Sequence, residues 1–445
     1  MAAWMFLFNQ PDGNIMNNAS ETQSIINGNK IPFTTYDAGW VILCIGMAIG
    51  GGIIFLPVQI GLKGIWVFSL SVLIAYPALY MMQSLYLKTL SQSPECKDYS
   101  GVITFYLGKN WGFFLGVAYF IMLLKGMLTY SLAATFDSAS YFQTFGLTVG
   151  TLSDNGWYGL LVLSLLVCVA AQGEKMLFRV SGPMVLVKLG VVVVLGLVMI
   201  PHWDMRNISH LPPIGELLIG TVLTLPFTLF SILFVQILSP MNVAFRKVEA
   251  DPVVATYRAL RASRVAYGIL ACSVLFFAFS FTFSLSHQQA VEAAENNISA
   301  MAIVAKVIPG ELVRVMSVLL NVFAIVTAFF GIFLGFQEAM KGIVVNVISR
   351  FVDEKMLNEK IISIAVSVFI VLLLWAWVLT HFPILLLQQI GAPVYGIVSC
   401  LIPCYLVLKV PQLMQYYSWR VLFISGTGIL LCLSPFLNYL SKGTQ

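Results

Sequence analysis

The chain alternates long apolar segments with short polar ones over most of its length. A helix needs about 20 apolar residues to cross the hydrocarbon core of a bilayer. The apolar runs are continuous and lack the strict alternation of a membrane β-barrel, so helices are the expected spanning elements. The pattern predicts an all-α polytopic membrane protein with about eleven spans. In order, they lie approximately at residues 38–60, 64–87, 111–134, 157–172, 181–200, 216–240, 265–286, 311–337, 361–379, 385–408 and 421–440.

Two of these spans contain residues that weaken a helix. The first carries "GMAIGGGIIFLP" at residues 46–57, and the sixth carries "LTLPFTLFSILFVQILSP" at residues 223–240. Glycine inside a helix costs about 1 kcal/mol relative to alanine, and proline removes a backbone donor. Transporters often bind substrate where corresponding spans of two inverted repeats are broken. Spans one and six therefore predict such a site.

This pairing predicts how the chain is organised. Residues 1–36 form a cytoplasmic N-terminal tail. A first repeat of five spans occupies 37–200 and a second occupies 201–408. The eleventh helix and the C-terminus follow at 409–445.

The chemistry of a broken span follows from its backbone. Unwinding exposes N–H groups that can bind a carboxylate and C=O groups that can accept from an ammonium, and a zwitterionic amino acid presents both. We predict the breaks at Gly46 and Pro226. The predicted substrate-binding residues are Ala48, Gly50, Gly51, Gly52, Phe227, Thr228, Phe230 and Ser231. Tight packing of small residues, hydroxyls bonded within their own helix and lipid-facing Phe side chains are the alternative explanations.

Charged and polar residues inside the spans are further candidates. A lysine at the centre of a membrane helix costs at least about 2.5–3.5 kcal/mol. We predict Lys188 in the fifth span as the proton-coupling residue, with snorkelling to the interface as the alternative. Lys125, Asn321 and Thr327 are predicted as additional pocket-lining residues.

Composition and charge agree with a membrane protein. Hydrophobic residues make up 59% of the chain and charged ones 10%, whereas soluble domains carry about 25% charged residues. Seventeen Lys and Arg residues fall in loops on one side and four on the other. The positive-inside rule then predicts a cytoplasmic N-terminus and, with an odd number of spans, a C-terminus on the opposite side of the membrane. The net charge of +5 is explained by this topology, so no nucleic-acid partner is predicted.

Catalytic constellations are missing from the predicted spans. All four His residues fall in outside loops, and the spans hold no His–carboxylate pair or Ser/His/Asp set. This argues against an intramembrane enzyme, which stays as a remote alternative. No cofactor, metal or protein partner is predicted; the expected partners are a small-molecule substrate and the lipid bilayer.

The stretches "GWVILCIGMAIGGGIIFLPVQIGLKGIW", "SPECKDY" and "LPFTLFSILFVQILSPM", together with the eleven-span layout, resemble bacterial permeases of the hydroxy/aromatic amino acid permease family. That family belongs to the amino acid–polyamine–cation superfamily, and the likeness is greatest to its serine/threonine permease branch. The resemblance runs from about residue 35 to 440. It implies a LeuT-type fold and proton-coupled symport of a small neutral amino acid, foremost L-serine, across the inner membrane by alternating access. Threonine, cysteine and aromatic amino acids remain alternatives.

The resemblance also implies particular site residues. Stretches 46–52 and 226–231 would contact the substrate. Lys188 matches the position where proton-coupled members of the superfamily place an amine and sodium-coupled members bind the ion. In "IVTAFFG" of the eighth span, Thr327 supplies one hydroxyl where sodium sites commonly present two adjacent ones. The proton is therefore the expected coupling ion and sodium is disfavoured.

Overall fold

A computed structural model describes residues 31–93, 99–172, 174–208, 210–348 and 358–443. Within these ranges the chain is helical, with no β-strand. Most of the predicted N-terminal tail, residues 1–30, lies outside the described residues, as do five residues of the "SPECKDY" stretch.

Helices occupy the positions of all the predicted spans. In the described part of the chain eight helices are long and apolar enough to cross a membrane, or nine if the two bent halves of the first span count as one. Two shorter apolar helices, Gly156–Ala170 and Gly182–Val198, stand where the fourth and fifth spans are predicted. The helices of spans one to eleven are, in order, Thr35–Ala48 with Gly51–Lys63, Ile65–Ser91, Lys109–Thr144, Gly156–Ala170, Glu174–Val198, Ile214–Phe230 with Val235–Val248, Pro252–Ser284, Glu311–Ile348, Glu359–Val378, Ile384–Tyr395 with Ile402–Lys409, and Trp419–Gly443.

Three further helices lie in the connections. Tyr99–Leu107 precedes the third span, while His287–Glu295 and Ala300–Val307 lie between the seventh and eighth spans. The side chains from Ala300 to Ala305 are fully buried. The helix Ala300–Val307 is therefore packed into the protein over most of its length.

The sixth span lies at the centre of the bundle and the ninth at its edge. In an 18-residue apolar stretch of the sixth span, Ile214–Val248, 78% of the residues are buried. The corresponding share in the ninth span, Lys360–Val378, is 22%. The first half of the sixth span packs against the second span and against Gly51–Lys63 of the first. The eighth span packs against the third and fifth. The two weakened spans therefore meet inside the protein.

The first span is broken slightly later than predicted. Its first helix continues through Gly46 to Ala48, and the second helix begins at Gly51 with a bend of 44°. The prediction that Gly46 marks the break is therefore wrong by a few residues. One glycine weakens a helix by only about 1 kcal/mol, which the packing of the surrounding spans offsets, whereas three consecutive glycines interrupt it.

The sixth span is also broken, but not at Pro226. The helix runs through Pro226 to Phe230 and resumes at Val235, so the predicted break position is wrong. Proline removes one donor, and neighbouring helices in a membrane protein can satisfy the carbonyls released nearby. Gln389 of the tenth span donates at 3.2 Å to the Leu223 carbonyl, which is adjacent to the Val222 carbonyl that Pro226 leaves without its helical donor.

Candidate functional site

The first span redirects its backbone hydrogen bonds where it breaks. In a continuous helix the Gly51 N–H would donate to the Met47 carbonyl four residues earlier. Instead it donates to the hydroxyl of Tyr130 on the third span at 2.8 Å. The Gly50 N–H bonds to the Ala48 carbonyl at 2.9 Å. Met47 thus loses its helical donor, and it lines a cavity.

Lys188 donates hydrogen bonds to two other carbonyl groups at the same break. Its Nζ donates to the carbonyl oxygens of Gly46 at 3.0 Å and Ile49 at 2.8 Å, and to the Thr327 hydroxyl at 2.8 Å. The lysine is completely buried. An ammonium has three N–H donors, and here it has three oxygen partners. The fifth span is therefore bonded through one charged group to both the first and the eighth span.

The fifth span can approach the break because Gly46 has no side chain. A methyl group of Val185 occupies the space that a Cβ at Gly46 would need. Val185 and Lys188 are three residues apart and therefore lie on the same face of their helix. Gly46 thus contributes to the site by close packing, although it is not the break itself.

The glycine run also permits close contacts. A Cβ at Gly50 would lie 2.6 Å from the Tyr130 hydroxyl oxygen, and one at Gly52 would collide with the Phe230 carbonyl. Gly52 therefore brings the first span into direct backbone contact with the end of the first half of the sixth. The two breaks are neighbours for this reason.

Two predicted residues of the sixth span, Thr228 and Ser231, have hydrogen-bond partners inside the protein. Ser71 donates to the Thr228 hydroxyl at 2.8 Å, and Thr228 donates to the Thr224 carbonyl at 3.2 Å. Ser231 donates to the Thr228 carbonyl at 2.7 Å. Both hydroxyl residues are fully buried, and Phe227 is 1% exposed. Because the break lies beyond Pro226, Phe227 and Thr228 belong to the helix before it, and Ser231 directly follows the end of that helix.

A small cavity of about 60 Å³ lies between the two breaks. It is lined by Met47, Ala48, Gly52, Lys125, Gly126, Thr129, Tyr130, Phe230, Leu233, Gln236, Ala328, Ile332, Gln388 and Tyr395. Four of the predicted site residues are among them: Ala48, Gly52, Lys125 and Phe230. The others lie outside its wall: Gly46, Gly50, Gly51, Lys188, Pro226, Phe227, Thr228, Ser231, Asn321 and Thr327.

Lys125 reaches the cavity across the tenth span. Its stem passes over Gly391, where a Cβ would lie 2.7 Å from the lysine Cε. Its Nζ donates a hydrogen bond to Gln388 Oε1. The ammonium also lies 4.5 Å from the centre of the Phe230 ring and 5.5 Å from that of Tyr395. These contacts place a positive charge on the cavity wall.

Asn321 belongs to a separate cluster. Its Nδ2 donates to Asp137 at 2.7 Å and to the Tyr141 hydroxyl at 2.9 Å. The Ser299 N–H donates to the same carboxylate at 2.8 Å. The cluster fastens the start of helix Ala300–Val307 to the third and eighth spans. Among the described residues, no group of three or more His, Cys, Asp or Glu side chains could hold a metal ion.

Sequence reasoning missed several cavity residues. Tyr130 is an aromatic residue in an aromatic-rich span, and nothing in its local sequence distinguishes it. Gln388 had a detectable signal, because "QQ" interrupts an apolar span and polar residues within spans are expensive. Its contact with Lys125 depends on the packing of the third span against the tenth, which the sequence pattern does not predict.

Similar proteins were found in sequence and in structure. The chain is 50% identical over 412 residues to the "Probable serine transporter" of Escherichia coli K12, which covers 92% of this chain and 93% of that protein. It is 25% identical over 418 residues to "Serine transporter SdaC" of the same strain, covering 91% and 95%. No protein-family model matches the chain.

A solved structure shares the fold. The "Crystal structure of MhsT in complex with L-phenylalanine" aligns with a TM-score of 0.51 at 14% sequence identity, covering 91% of this chain and 98% of that one. This similarity confirms the predicted all-helical, LeuT-type architecture.

Proposed function

The chain belongs to the serine/threonine permease branch of the hydroxy/aromatic amino acid permease family, and on that premise we propose that it carries L-serine inward with a proton by alternating access. It is a multi-pass membrane transporter and not an enzyme, since its relatives are named transporters. The names of these relatives support serine as the substrate. The observation that carries the mechanism is the Lys188 ammonium bonded to the first-span break beside the cavity.

The substrate carboxylate binds at the start of Gly51–Lys63. A helix N-terminus offers free N–H groups and a partial positive charge. Tyr130 adds a donor, because its oxygen already accepts the Gly51 N–H and its own proton is left for the carboxylate. The Met47 carbonyl, which has lost its helical donor, accepts from the substrate ammonium.

The predicted residues then divide into two groups. Ala48, Gly52 and Phe230 form the cavity wall. Gly50 and Gly51 position Tyr130 over the break, with Gly51 as its hydrogen-bond donor. Phe227, Thr228 and Ser231 keep the first half of the sixth span folded up to its end.

Lys188 couples proton binding to the conformation of the first span. As an ammonium it has three donors for the oxygens of Gly46, Ile49 and Thr327. A neutral amine has two, so losing the proton leaves one oxygen without its partner and weakens the contact between the first and eighth spans. The ammonium occupies the oxygens that a sodium ion would need, which makes sodium the disfavoured coupling ion.

The proposal includes topology and organisation. Seventeen Lys and Arg residues on one side against four on the other support a cytoplasmic N-terminus and a periplasmic C-terminus in the bacterial inner membrane. The boundaries of the two repeats, 37–200 and 201–408, belong to the same proposal.

Uptake by purified protein in liposomes tests this function. Labelled L-serine is offered with an inward proton gradient, with the gradient collapsed by a protonophore, and with an inward sodium gradient. We expect accumulation above equilibrium only with the proton gradient. Unlabelled threonine, cysteine and phenylalanine serve as competitors. No accumulation of serine under the proton gradient would contradict the proposal, and accumulation driven by sodium alone would contradict its coupling ion.

A further inference from the structure

The cavity wall carries a cation with a neutral amide beside it. Lys125 on the third span donates to Gln388 on the tenth, and both line the cavity at the two breaks. We propose that Lys125 and Gln388 together form the subsite for the hydroxyl group of the substrate side chain, and that this pair selects hydroxyl amino acids over alanine. The inference rests on the proposed function, because it assigns a role within the same site.

Lys125 is held in the interior by its surroundings. Gly391 leaves room for its stem, and the rings of Phe230 and Tyr395 attract its charge. Gln388 is 3% exposed, so the hydrogen bond between them is shielded from bulk water. These contacts argue against a lysine that extends to the membrane surface.

The cavity offers this ammonium no carboxylate. Its lining residues, all within the described part of the chain, include no Asp or Glu. Besides Lys125, the polar side chains on the wall are Thr129, Tyr130, Gln236 and Gln388. Thr129 donates to the backbone carbonyl of Lys125 at 2.9 Å. The positive charge of Lys125 therefore has no counter-charge among these lining residues, and an electron-rich atom of a ligand can interact with it.

A hydroxyl group matches the lysine–glutamine pair. It donates one hydrogen bond and accepts others, so it can accept from Lys125 Nζ while donating to Gln388 Oε1. The methyl group of alanine can do neither. A thiol does both weakly, and a cationic side chain is repelled by the ammonium. The expected order of preference is serine and threonine first, then cysteine, then alanine.

A second polar atom in the cavity supports a hydrogen-bonding ligand. Gln236 Oε1 is buried and has no hydrogen-bond partner among the residues that the structure describes. A buried acceptor without a donor costs about 1–3 kcal/mol, which a bound donor group recovers. Gln236 lines the same cavity as Lys125.

The test compares serine with alanine in the same variants. Exchange of labelled substrate across liposomes needs no gradient, so it measures binding and translocation apart from coupling. Lys125→Met keeps an unbranched side chain up to the Cε position and removes the ammonium with its charge and donors. We expect the preference for serine over alanine to fall by about tenfold or more, because a hydrogen bond to a charged group is lost. Alanine exchange should change little.

Two further variants make the result decisive. Gln388→Met removes the other half of the pair and should reduce the same ratio; it also decides the question if Lys125→Met is not recovered as folded protein. Lys306→Met is the matched control, because Lys306 is an exposed lysine paired with Glu292 outside the cavity. It should keep the ratio of the unmodified protein.

The outcomes separate this inference from the proposed function. If the unmodified protein exchanges no serine, the proposed function fails. If it exchanges serine, but Lys125→Met and Gln388→Met leave the serine-to-alanine ratio unchanged, the subsite alone is overturned. An equal loss for serine and alanine in both variants also overturns it, because that result assigns the lysine to the substrate carboxylate.

Discussion

Lys188 Nζ lies 2.8 Å from the carbonyl oxygen of Ile49, the residue that directly follows the first helix of the first span. A lysine on the fifth span thus provides a donor that the interrupted helix cannot provide itself. Its bond to Thr327 extends this connection to the eighth span. The protonation of one side chain is therefore linked to the relative position of three spans.

Replacing Lys188 with Met should uncouple transport from the proton gradient. The variant removes the titrating group and leaves the Gly46 and Ile49 carbonyls without this donor. We expect serine accumulation under an inward pH gradient to fall to the level of equilibration, measured in liposomes. Lys306→Met, the same substitution at an exposed site, should accumulate serine normally. Continued gradient-driven accumulation by Lys188→Met would remove this residue from the coupling mechanism.

A side chain at Gly52 should separate the two breaks. The Cβ of Gly52→Ala would collide with the Phe230 carbonyl, and overpacking of this kind costs about 1–3 kcal/mol. We expect a lower unfolding temperature in detergent and a loss of serine uptake. Gly116→Ala is the control, because no described residue beyond the adjacent turns of its own helix lies within 4 Å of that Cβ. An unfolding temperature and an uptake rate like those of Gly116→Ala would show that the contact is unimportant.

Tyr130→Phe should weaken substrate binding. The change removes the hydroxyl that accepts the Gly51 N–H and that we expect to donate to the carboxylate. A hydrogen bond to a charged group contributes about 1.5–3 kcal/mol, so KM for serine should rise by about tenfold to a hundredfold. Tyr439→Phe, at an 82% exposed position of the last span, should leave KM as it is. Equal KM values in the two variants would exclude Tyr130 from substrate binding.

A buried ion pair lies at the predicted cytoplasmic end of the first span. Arg258 on the seventh span donates to Asp37 at 2.7 Å and 3.1 Å and to Thr34 at 2.7 Å, and it also pairs with Glu249. Asp37 is fully buried. Arg261 approaches the same carboxylate at 3.3 Å. The start of the first span is therefore fixed to the seventh by charge.

Arg258→Met should destabilise the protein, because it leaves a buried carboxylate short of its main partner. Removing one partner of a buried ion pair costs about 3–5 kcal/mol. We expect a value near the lower limit, because Arg261 still approaches the Asp37 carboxylate. The measurement is thermal unfolding in detergent. Arg206→Met disrupts an exposed pair with Asp204 and should leave the unfolding temperature unchanged. A similar unfolding temperature for both variants would show that the buried pair adds no stability.

Much of the architecture could be predicted from the sequence. Each span is a local run of apolar residues of membrane length, so its position follows from composition alone. Gly50, Gly51 and Gly52 also have a local effect, because three successive residues without side chains weaken any helix. Lys188 was recognisable as a candidate because a charge inside an apolar run is costly wherever the run packs.

The position of the second break could not be predicted in this way. Pro226 is the strongest local helix breaker in the sixth span, yet the helix continues to Phe230. Bonds from other spans, such as that of Gln389 to the Leu223 carbonyl, stabilise the chain around the proline. The break falls instead where the backbone contacts Gly52.

The sequence by itself determined the membrane-spanning helices, the two spans that contain weak stretches and the lysines inside spans, because each depends on the residues of a single segment. Only the tertiary structure decided which groups line the cavity. Tyr130 and Lys125 lie on the third span and Gln388 lies on the tenth. Lys125 and Gln388 are 263 residues apart in the sequence. Their contacts arise from packing between distant helices, which no pattern within one helix encodes.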